Sequence, residues 1–131
     1  MKAETFEEMY SVRLLMLLLW CGVIFAFSDR PGSGIPFDPP LWYVLQRKGA
    51  HVFEYAVLTI FAWRYFSSLF QRETFGRILL LSGSFSLAYG VLDELHQFFI
   101  FGRGARFTDV LVDMIGISLV LLFLMLQRRS R

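Results

Sequence analysis

Four apolar segments, each long enough to cross a membrane as a helix, divide this chain of 131 residues. They cover about residues 10–27, 50–70, 78–101 and 109–127. A transmembrane helix needs about 20 mostly apolar residues to cross roughly 30 Å of hydrocarbon, and a chain that is 56% hydrophobic fits this requirement. The sequence therefore predicts one all-α domain over residues 1–131, a polytopic membrane protein built as a bundle of four transmembrane helices.

The connection between the first two segments, residues 28–49, is rich in proline and glycine and holds all four prolines of the chain. Proline breaks the interior of a helix, so a continuous helix is excluded here. Trp42 and Tyr43 follow the last proline, and such aromatic side chains favour the membrane–water interface. We expect an interfacial loop that rests on the bilayer surface and ends at Gly49.

A secretory signal peptide is the alternative interpretation of the first segment, because residues 26–28 offer small side chains at a cleavage spacing. A signal peptide begins with a positively charged region, whereas three glutamates lie among the first eight residues of this chain. We therefore expect the first segment to be a helix of the bundle.

Short connections between the later segments predict helices that run up and down, which places both termini on one side of the membrane. That side holds eight basic residues: Lys2, Arg13, Arg64, Arg72, Arg77, Arg128, Arg129 and Arg131. The opposite side holds five: Arg30, Arg47, Lys48, Arg103 and Arg106. Because basic residues favour the cytoplasmic side, we expect a multi-pass protein of the cell membrane with both termini in the cytoplasm.

Charge and cysteine content exclude several classes of function. A net charge of +2 gives no general basic field for nucleic acid. The single cysteine, Cys21, supports neither an intrachain disulfide nor a multi-cysteine metal site. The acidic and basic residues matter by their positions.

The first of three polar patches lies where the second apolar segment begins. Lys48, His51 and Tyr55 are three and four residues apart, so they share one helix face, and Glu54 lies beside it. Tyr55 fits either a core aromatic or a hydrogen-bonding group. An ionisable residue inside a spanning helix is costly and usually marks a functional site.

The other two patches belong to the third and fourth segments. At the end of the third, Asp93, Glu94 and Gln97 share a face. At the start of the fourth, Asp109 and Asp113 are four residues apart and follow two arginines, Arg103 and Arg106. An up-and-down course brings all three patches to the same face of the bilayer, which predicts an outward-facing polar pocket.

These residue types predict roles for an anionic ligand. The candidate binding residues are Lys48, Tyr55, Gln97, Arg103, Arg106 and Asp113. The candidate catalytic residues are His51, Glu54, Asp93, Glu94 and Asp109. An imidazole titrates near neutral pH, so His51 could act as general acid or base, oriented by Asp93, Glu94 and Asp109. The same carboxylates could instead hold a divalent cation such as Mg²⁺ that bridges to phosphate.

In chain order the patches read Lys48-x-x-His51-x-x-Glu54-Tyr55, Asp93-Glu94-x-x-Gln97-Phe98, Gly102-Arg103 and Asp109-x-x-x-Asp113-x-x-Gly116. This ordered set, over about residues 40–120, resembles the VanZ-like family of small bacterial integral membrane proteins. One member, from which the family takes its name, is linked to glycopeptide (teicoplanin) resistance. The resemblance implies a multi-helix membrane protein with a role in the cell envelope and antibiotic resistance.

Three hypotheses on function remain open from the sequence. The first is a site for membrane lipids, specifically an anionic envelope lipid or lipid-linked precursor, with hydrolase or transferase chemistry on a phosphate or glycan as one possibility. The second is a small ion- or proton-coupled transporter. The third is a non-catalytic scaffold whose charges form a structural ion-pair network. The sequence leaves the oligomeric state open.

Overall fold

The computed structural model of the protein describes residues 2–32, 39–104 and 106–130, with side chains for all of these except residues 2–6. Over these ranges the chain forms four helices: α1 (Lys2–Ser28), α2 (Leu41–Leu69), α3 (Phe75–Phe98) and α4 (Phe107–Arg129). The predicted all-α bundle is confirmed. Residues 33–38, in the middle of the predicted interfacial loop, lie outside the described residues.

Helix α2 begins at Leu41, so the prediction of a loop that continues to Gly49 is wrong. Pro40 is the N-cap, with an extended backbone (φ −61°, ψ 152°), and no later proline opposes a helix. Trp42 and Tyr43 therefore lie in the first turn of α2, where both are exposed. Because of this early start, the first polar patch lies inside α2 and not at its N-terminus.

The third helix begins and ends about three residues before the predicted segment, and the chain turns after it. Helix α3 ends at Phe98, not near Phe101. Gly102 then adopts φ 71°, a left-handed conformation that glycine reaches without steric cost. The Phe101 carbonyl accepts a hydrogen bond from the Gly32 backbone N–H at 2.9 Å, which joins this turn to the chain that follows α1.

Contacts at both ends of the bundle show that α1 and α2 run in opposite directions and that α2 and α4 begin at the same end. The hydroxyls of Tyr10, near the start of α1, and Tyr65, near the end of α2, are 2.9 Å apart. At the other end, Arg47 near the start of α2 bonds Asp109 at the start of α4. Helix α2 packs against all three other helices and has the most extensive contacts of the four, so it is the centre of the bundle.

Two glycines let α4 approach its neighbours closely. A Cβ atom on Gly116 would overlap the Val52 carbonyl of α2. A Cβ on Gly90 of α3 would lie 3.2 Å from both a carboxylate oxygen of Asp113 and the ring of Tyr55. Small residues are the usual means of close helix packing in lipid, which provides no hydrophobic drive between helices.

Three of the four helices are long and apolar enough to cross a membrane by length and composition: Glu7–Ser28, Phe75–Phe98 and Phe107–Arg129. Helix α2 is outside this set; the ionisable side chains of the first polar patch lie in its first half and Arg64 lies in its second half. Its 29 residues nevertheless make a helix about 43 Å long, and it lies at the centre of the other three. The chain is therefore a helical membrane protein whose most polar helix is the one most enclosed by protein.

The close contact at Gly116 gives a test of this packing. We expect Gly116→Leu to lower the free energy of unfolding by about 1–3 kcal/mol or more, because the new side chain must displace α2. Gly22→Leu is the matched control, since a Cβ there has nothing within 4 Å. Thermal unfolding of the purified protein in detergent, followed by helical circular dichroism, measures both. Equal midpoints for the two variants would contradict the close α2–α4 contact.

Candidate functional site

The predicted polar residues lie together where α1 and α3 end and α2 and α4 begin. All of them except Arg103, together with Arg47, form two groups at different depths. The outer group, here called the cationic cleft, consists of Arg47, Lys48, Arg106 and Asp109. The inner group, here called the acidic layer, consists of His51, Glu54, Tyr55, Asp93, Glu94, Gln97 and Asp113.

Two cations of α2 bind the same buried carboxylate in the cationic cleft. Arg47 Nη2 lies 2.8 Å from Asp109 Oδ2, and Lys48 Nζ lies 3.2 Å from Asp109 Oδ1. The Asp109 side chain is 4% exposed, whereas Arg47 and Lys48 are 44% and 39% exposed. Asp109 also lies in the first turn of α4, where the helix dipole favours negative charge. The carboxylate is thus fixed, while both cations face outward.

The cleft carries more positive than negative charge. Arg106, the N-cap of α4, is exposed, and within the described residues its guanidinium has no ion pair. Together with Arg47 and Lys48 it gives three cations around one carboxylate. The space between them is small, about 40 Å³, and is also lined by Pro39, Tyr43 and Val44. A ligand larger than a water molecule or two would therefore have to move the long basic side chains, which their exposure allows.

One helical turn deeper, His51 and Asp113 join α2 to α4. His51 Nδ1 lies 2.9 Å from Asp113 Oδ1, and the side chains are 14% and 2% exposed. Because Nδ1 is engaged by Asp113, the ring is held in one orientation and Nε2 is the nitrogen left for other chemistry. Within the described part of the chain, Nε2 has no hydrogen-bond partner.

The α3 part of the acidic layer is tied to the end of α1. Gln97 Nε2 donates to Asp93 Oδ2 at 3.0 Å and to Ser28 Oγ at 3.2 Å. Arg103 Nη1 donates to the Ser28 carbonyl at 2.9 Å, which satisfies a carbonyl that the helix end leaves without a partner. Arg103 and Gln97 therefore hold the end of α1 in place.

Glu94 connects α3 to the start of α4. Its Oε2 accepts a hydrogen bond from the Arg106 backbone N–H at 2.8 Å, one of the donors that a helix start leaves unsatisfied. The Glu94 residue is buried. Arg106 thus contributes its backbone to the inner group and its side chain to the cationic cleft.

Three buried polar atoms of the acidic layer have no hydrogen-bond partner among the described residues: Tyr55 OH, Glu94 Oε1 and Asp113 Oδ2. A buried polar atom without a partner costs about 1–3 kcal/mol. Glu54, half-buried beside them, interacts electrostatically with His51, Asp93 and Asp113. Each such group needs a physical explanation, such as a catalytic role or a bound water or ion, and ionisable residues within membrane helices usually mark functional sites.

The structure brings the predicted residues together but distributes them differently from the sequence-based roles. His51 is oriented by Asp113, which the sequence analysis assigns to ligand binding, and not directly by Asp93, Glu94 or Asp109. Arg103 contacts backbone rather than open space. The roles of these residues remain predictions.

Two residues were not predicted. Arg47 lies four residues before His51 on the same helix face, so spacing alone could have identified it. Ser28 accepts from Gln97 and Arg103, and no spacing rule signals it because its partners lie on α3 and the loop after it.

The predicted Mg²⁺ would need several carboxylate ligands placed close together. In the part of the chain that the structure describes, no three His, Cys, Asp or Glu side chains are placed so that they could hold a metal ion. The carboxylates of the acidic layer instead bind His51, Gln97 and a backbone N–H. The described residues therefore provide no set of ligands for the predicted Mg²⁺.

A family model described as VanZ/LLP1 matches residues 13–128, which is most of the chain. The chain belongs to the VanZ/LLP1 family. The resemblance seen in the sequence motifs is thus confirmed, and every residue of the cationic cleft and acidic layer of this VanZ/LLP1 protein lies inside the matched region. No curated protein and no solved structure matches the chain.

A comparison of Tyr55 with Tyr89 tests whether the Tyr55 hydroxyl is unpaired. We expect Tyr55→Phe to leave the unfolding midpoint unchanged or higher, because a buried hydroxyl without a partner is lost. Tyr89→Phe is the matched control: its hydroxyl donates to the Cys21 carbonyl at 2.6 Å, so its loss should cost about 0.5–1.5 kcal/mol. Thermal unfolding in detergent compares the two. A larger loss for Tyr55→Phe would show that this hydroxyl is bonded in solution.

Proposed function

We propose that this VanZ/LLP1 family membrane protein binds the anionic head group of an envelope lipid, or of a lipid-linked precursor, in the cationic cleft. The observation that carries the proposal is the excess of cations: Arg47, Lys48 and Arg106 surround one buried carboxylate, Asp109. A network built only for stability would match its charges more evenly, because surplus charge in a bundle is costly.

The hydrogen-bonding capacity of the cleft supports an added anion. Lysine has three N–H donors and arginine five, and Asp109 accepts one bond from each of Lys48 and Arg47. The remaining donors are available to phosphate oxygens, for which the arginine fork is well shaped. Asp109 holds both cations in position before a ligand arrives, which lowers the entropic cost of binding.

The surroundings of the cleft suit a lipid head group. Leu41 and Trp42, in the first turn of α2, are exposed apolar side chains, and tryptophan favours the membrane–water interface. The cleft lies one to two turns further along the same helix. We infer that α2 enters the membrane here, so that the cationic cleft lies at the depth of lipid phosphates.

The transporter hypothesis receives less support from the buried polar residues beyond the acidic layer. Thr59 donates to the Tyr55 carbonyl and Ser82 to the Ile78 carbonyl. The hydroxyl oxygens of Thr59 and Ser86 lie 3.0 Å apart, within hydrogen-bond distance. Hydroxyls bonded within and between helices in this way serve packing, and they do not extend the charged groups toward the other end of the bundle.

Loss of charge should weaken binding of anionic lipid. We expect the double variant Arg47→Gln, Lys48→Gln to bind phosphatidylglycerol about 30-fold more weakly, from about 1 kcal/mol for each basic residue. Native mass spectrometry in neutral detergent, with phosphatidylcholine as the comparison lipid, measures retention. Arg72→Gln is the matched control, since Arg72 is exposed in the turn at the opposite end of the bundle. Equal retention by the double variant and wild type would rule out the cleft as the binding site.

We further propose that the protein lies in the cell membrane with both termini in the cytoplasm and the cleft at the outer face, where envelope precursors targeted by teicoplanin-type glycopeptides would be reached. The basis is the excess of basic residues on the terminal side. Reporter fusions test it. A phosphatase fused to either terminus should be inactive, and one inserted after Gly102 should be active. The reverse pattern would place the cleft in the cytoplasm.

A further inference from the structure

We infer that His51 is the general base of a hydrolytic reaction on a phosphate ester of the bound head group, and that Asp113 is its positioning residue. This inference rests on the proposed function, because the cationic cleft must hold the phosphate. It concerns what happens to a ligand after binding, and it assigns the reaction to a pair of side chains that lie outside the lining of the cleft.

The His51–Asp113 pair has the arrangement that general-base catalysis needs. The Nδ1···Oδ1 distance is 2.9 Å, and the carboxylate is almost fully buried. Gly90 and Gly116 allow α4 to lie against α2 and α3 here, so the carboxylate has little freedom to move. A carboxylate fixed on Nδ1 sets the tautomer in which Nε2 accepts a proton.

The helix register places this pair beneath the cationic cleft. Lys48 and Arg47 precede His51 by three and four residues, and Asp109 precedes Asp113 by four. Each is therefore one turn away on the same face, about 5.4 Å along the helix axis. The inference requires a phosphate held by Lys48 and Arg47 to share one water molecule with the imidazole.

The chemical step balances with water as the only co-reactant. His51 Nε2 takes a proton from the water as its oxygen forms a bond to phosphorus. The bond from phosphorus to the lipid oxygen breaks, and its electron pair stays on that oxygen. The leaving oxygen takes a proton from water on its own side, and the imidazolium gives its proton to water, so the products are a lipid alcohol, or a lipid phosphate from a diphosphate, and inorganic phosphate.

Negative charge around the imidazole favours this step. Asp113, Asp109 and Glu54 all interact electrostatically with His51. They stabilise the imidazolium that forms when the water is deprotonated. The cations of the cleft stabilise the negative charge on the phosphate oxygens at the same time. The carboxylates thus stabilise the positive charge of the transition state, and the cations stabilise its negative charge.

The chain has an internal control, because it contains two histidines. His96 Nε2 lies 3.2 Å from Asp29 Oδ1, and these side chains are 32% and 56% exposed. The His96 ring also packs on Phe25, with centroids 4.8 Å apart. His96 is thus also paired with an aspartate near this end of the bundle, but it is on a different face and has no cation of the cleft beside it.

The test measures release of inorganic phosphate from phosphatidic acid and from farnesyl diphosphate by the full chain in neutral detergent. We expect His51→Gln to lower the rate by about 10²- to 10⁴-fold, the usual contribution of a general base, while retention of phosphatidic acid in native mass spectrometry is unchanged. His96→Gln should act like wild type. Asp113→Asn should lower kcat with KM and the unfolding midpoint unchanged, which a merely structural role would not produce.

A chemical experiment avoids substitution of His51. In His96→Gln, His51 is the one histidine left in the sequence, so diethyl pyrocarbonate should abolish phosphate release and hydroxylamine should restore it. Wild type that binds phosphatidic acid but releases no phosphate from either probe would overturn the reaction and leave the proposed binding intact. Unchanged rates in His51→Gln would overturn the role of His51. Wild type that binds no anionic lipid would overturn both proposals.

Discussion

The pairing of α2 with α4 is the interaction on which the rest of the site depends. Helix α4 presents two buried carboxylates one turn apart, and α2 supplies a partner for each: Arg47 and Lys48 for Asp109, and His51 for Asp113. Replacement of the basic partners by side chains that cannot hydrogen-bond would leave a buried carboxylate uncompensated in a low-dielectric interior, at a cost of about 3–5 kcal/mol. A shift of one helix along the other would break both pairs together. The two rows of charge therefore fix the register of the bundle where the site is built.

Helical periodicity explains how much of this site could be predicted. Lys48 and His51 on one segment, and Asp109 and Asp113 on another, show the three- and four-residue spacings that place side chains on one face. The apolar segments predicted a helical bundle, and the four helices of the structure confirm it. Local periodicity and the membrane constraint thus place the patches at one end of the bundle. They do not decide which carboxylate reaches the imidazole, because that depends on the rotation of α4 about its axis.

The features that could not be predicted depend on loops and on close backbone contacts. The role of Arg103 follows from a turn at Gly102 that brings its guanidinium to the Ser28 carbonyl, and no periodic pattern records such a contact. The start of α2 was misplaced because the density of proline suggested a loop up to Gly49. The helix begins as soon as the last proline, Pro40, has been passed. A proline shows where a helix cannot continue. A helix can begin as soon as no further proline follows.

A membrane-embedded polar site has two opposing requirements, and the cationic cleft and the acidic layer meet them differently. A site must keep charges in place without a ligand, and yet leave them able to exchange partners when a ligand binds. The cationic cleft does this with long, half-exposed side chains around one fixed carboxylate. The acidic layer does the opposite: Asp113 is buried and bonded on one oxygen, while its other oxygen and the Tyr55 hydroxyl remain unpaired. Apolar side chains at these positions would avoid that cost, so stability does not explain their presence. A ligand that recruits the mobile cations, above an imidazole held by the fixed carboxylate, does explain it.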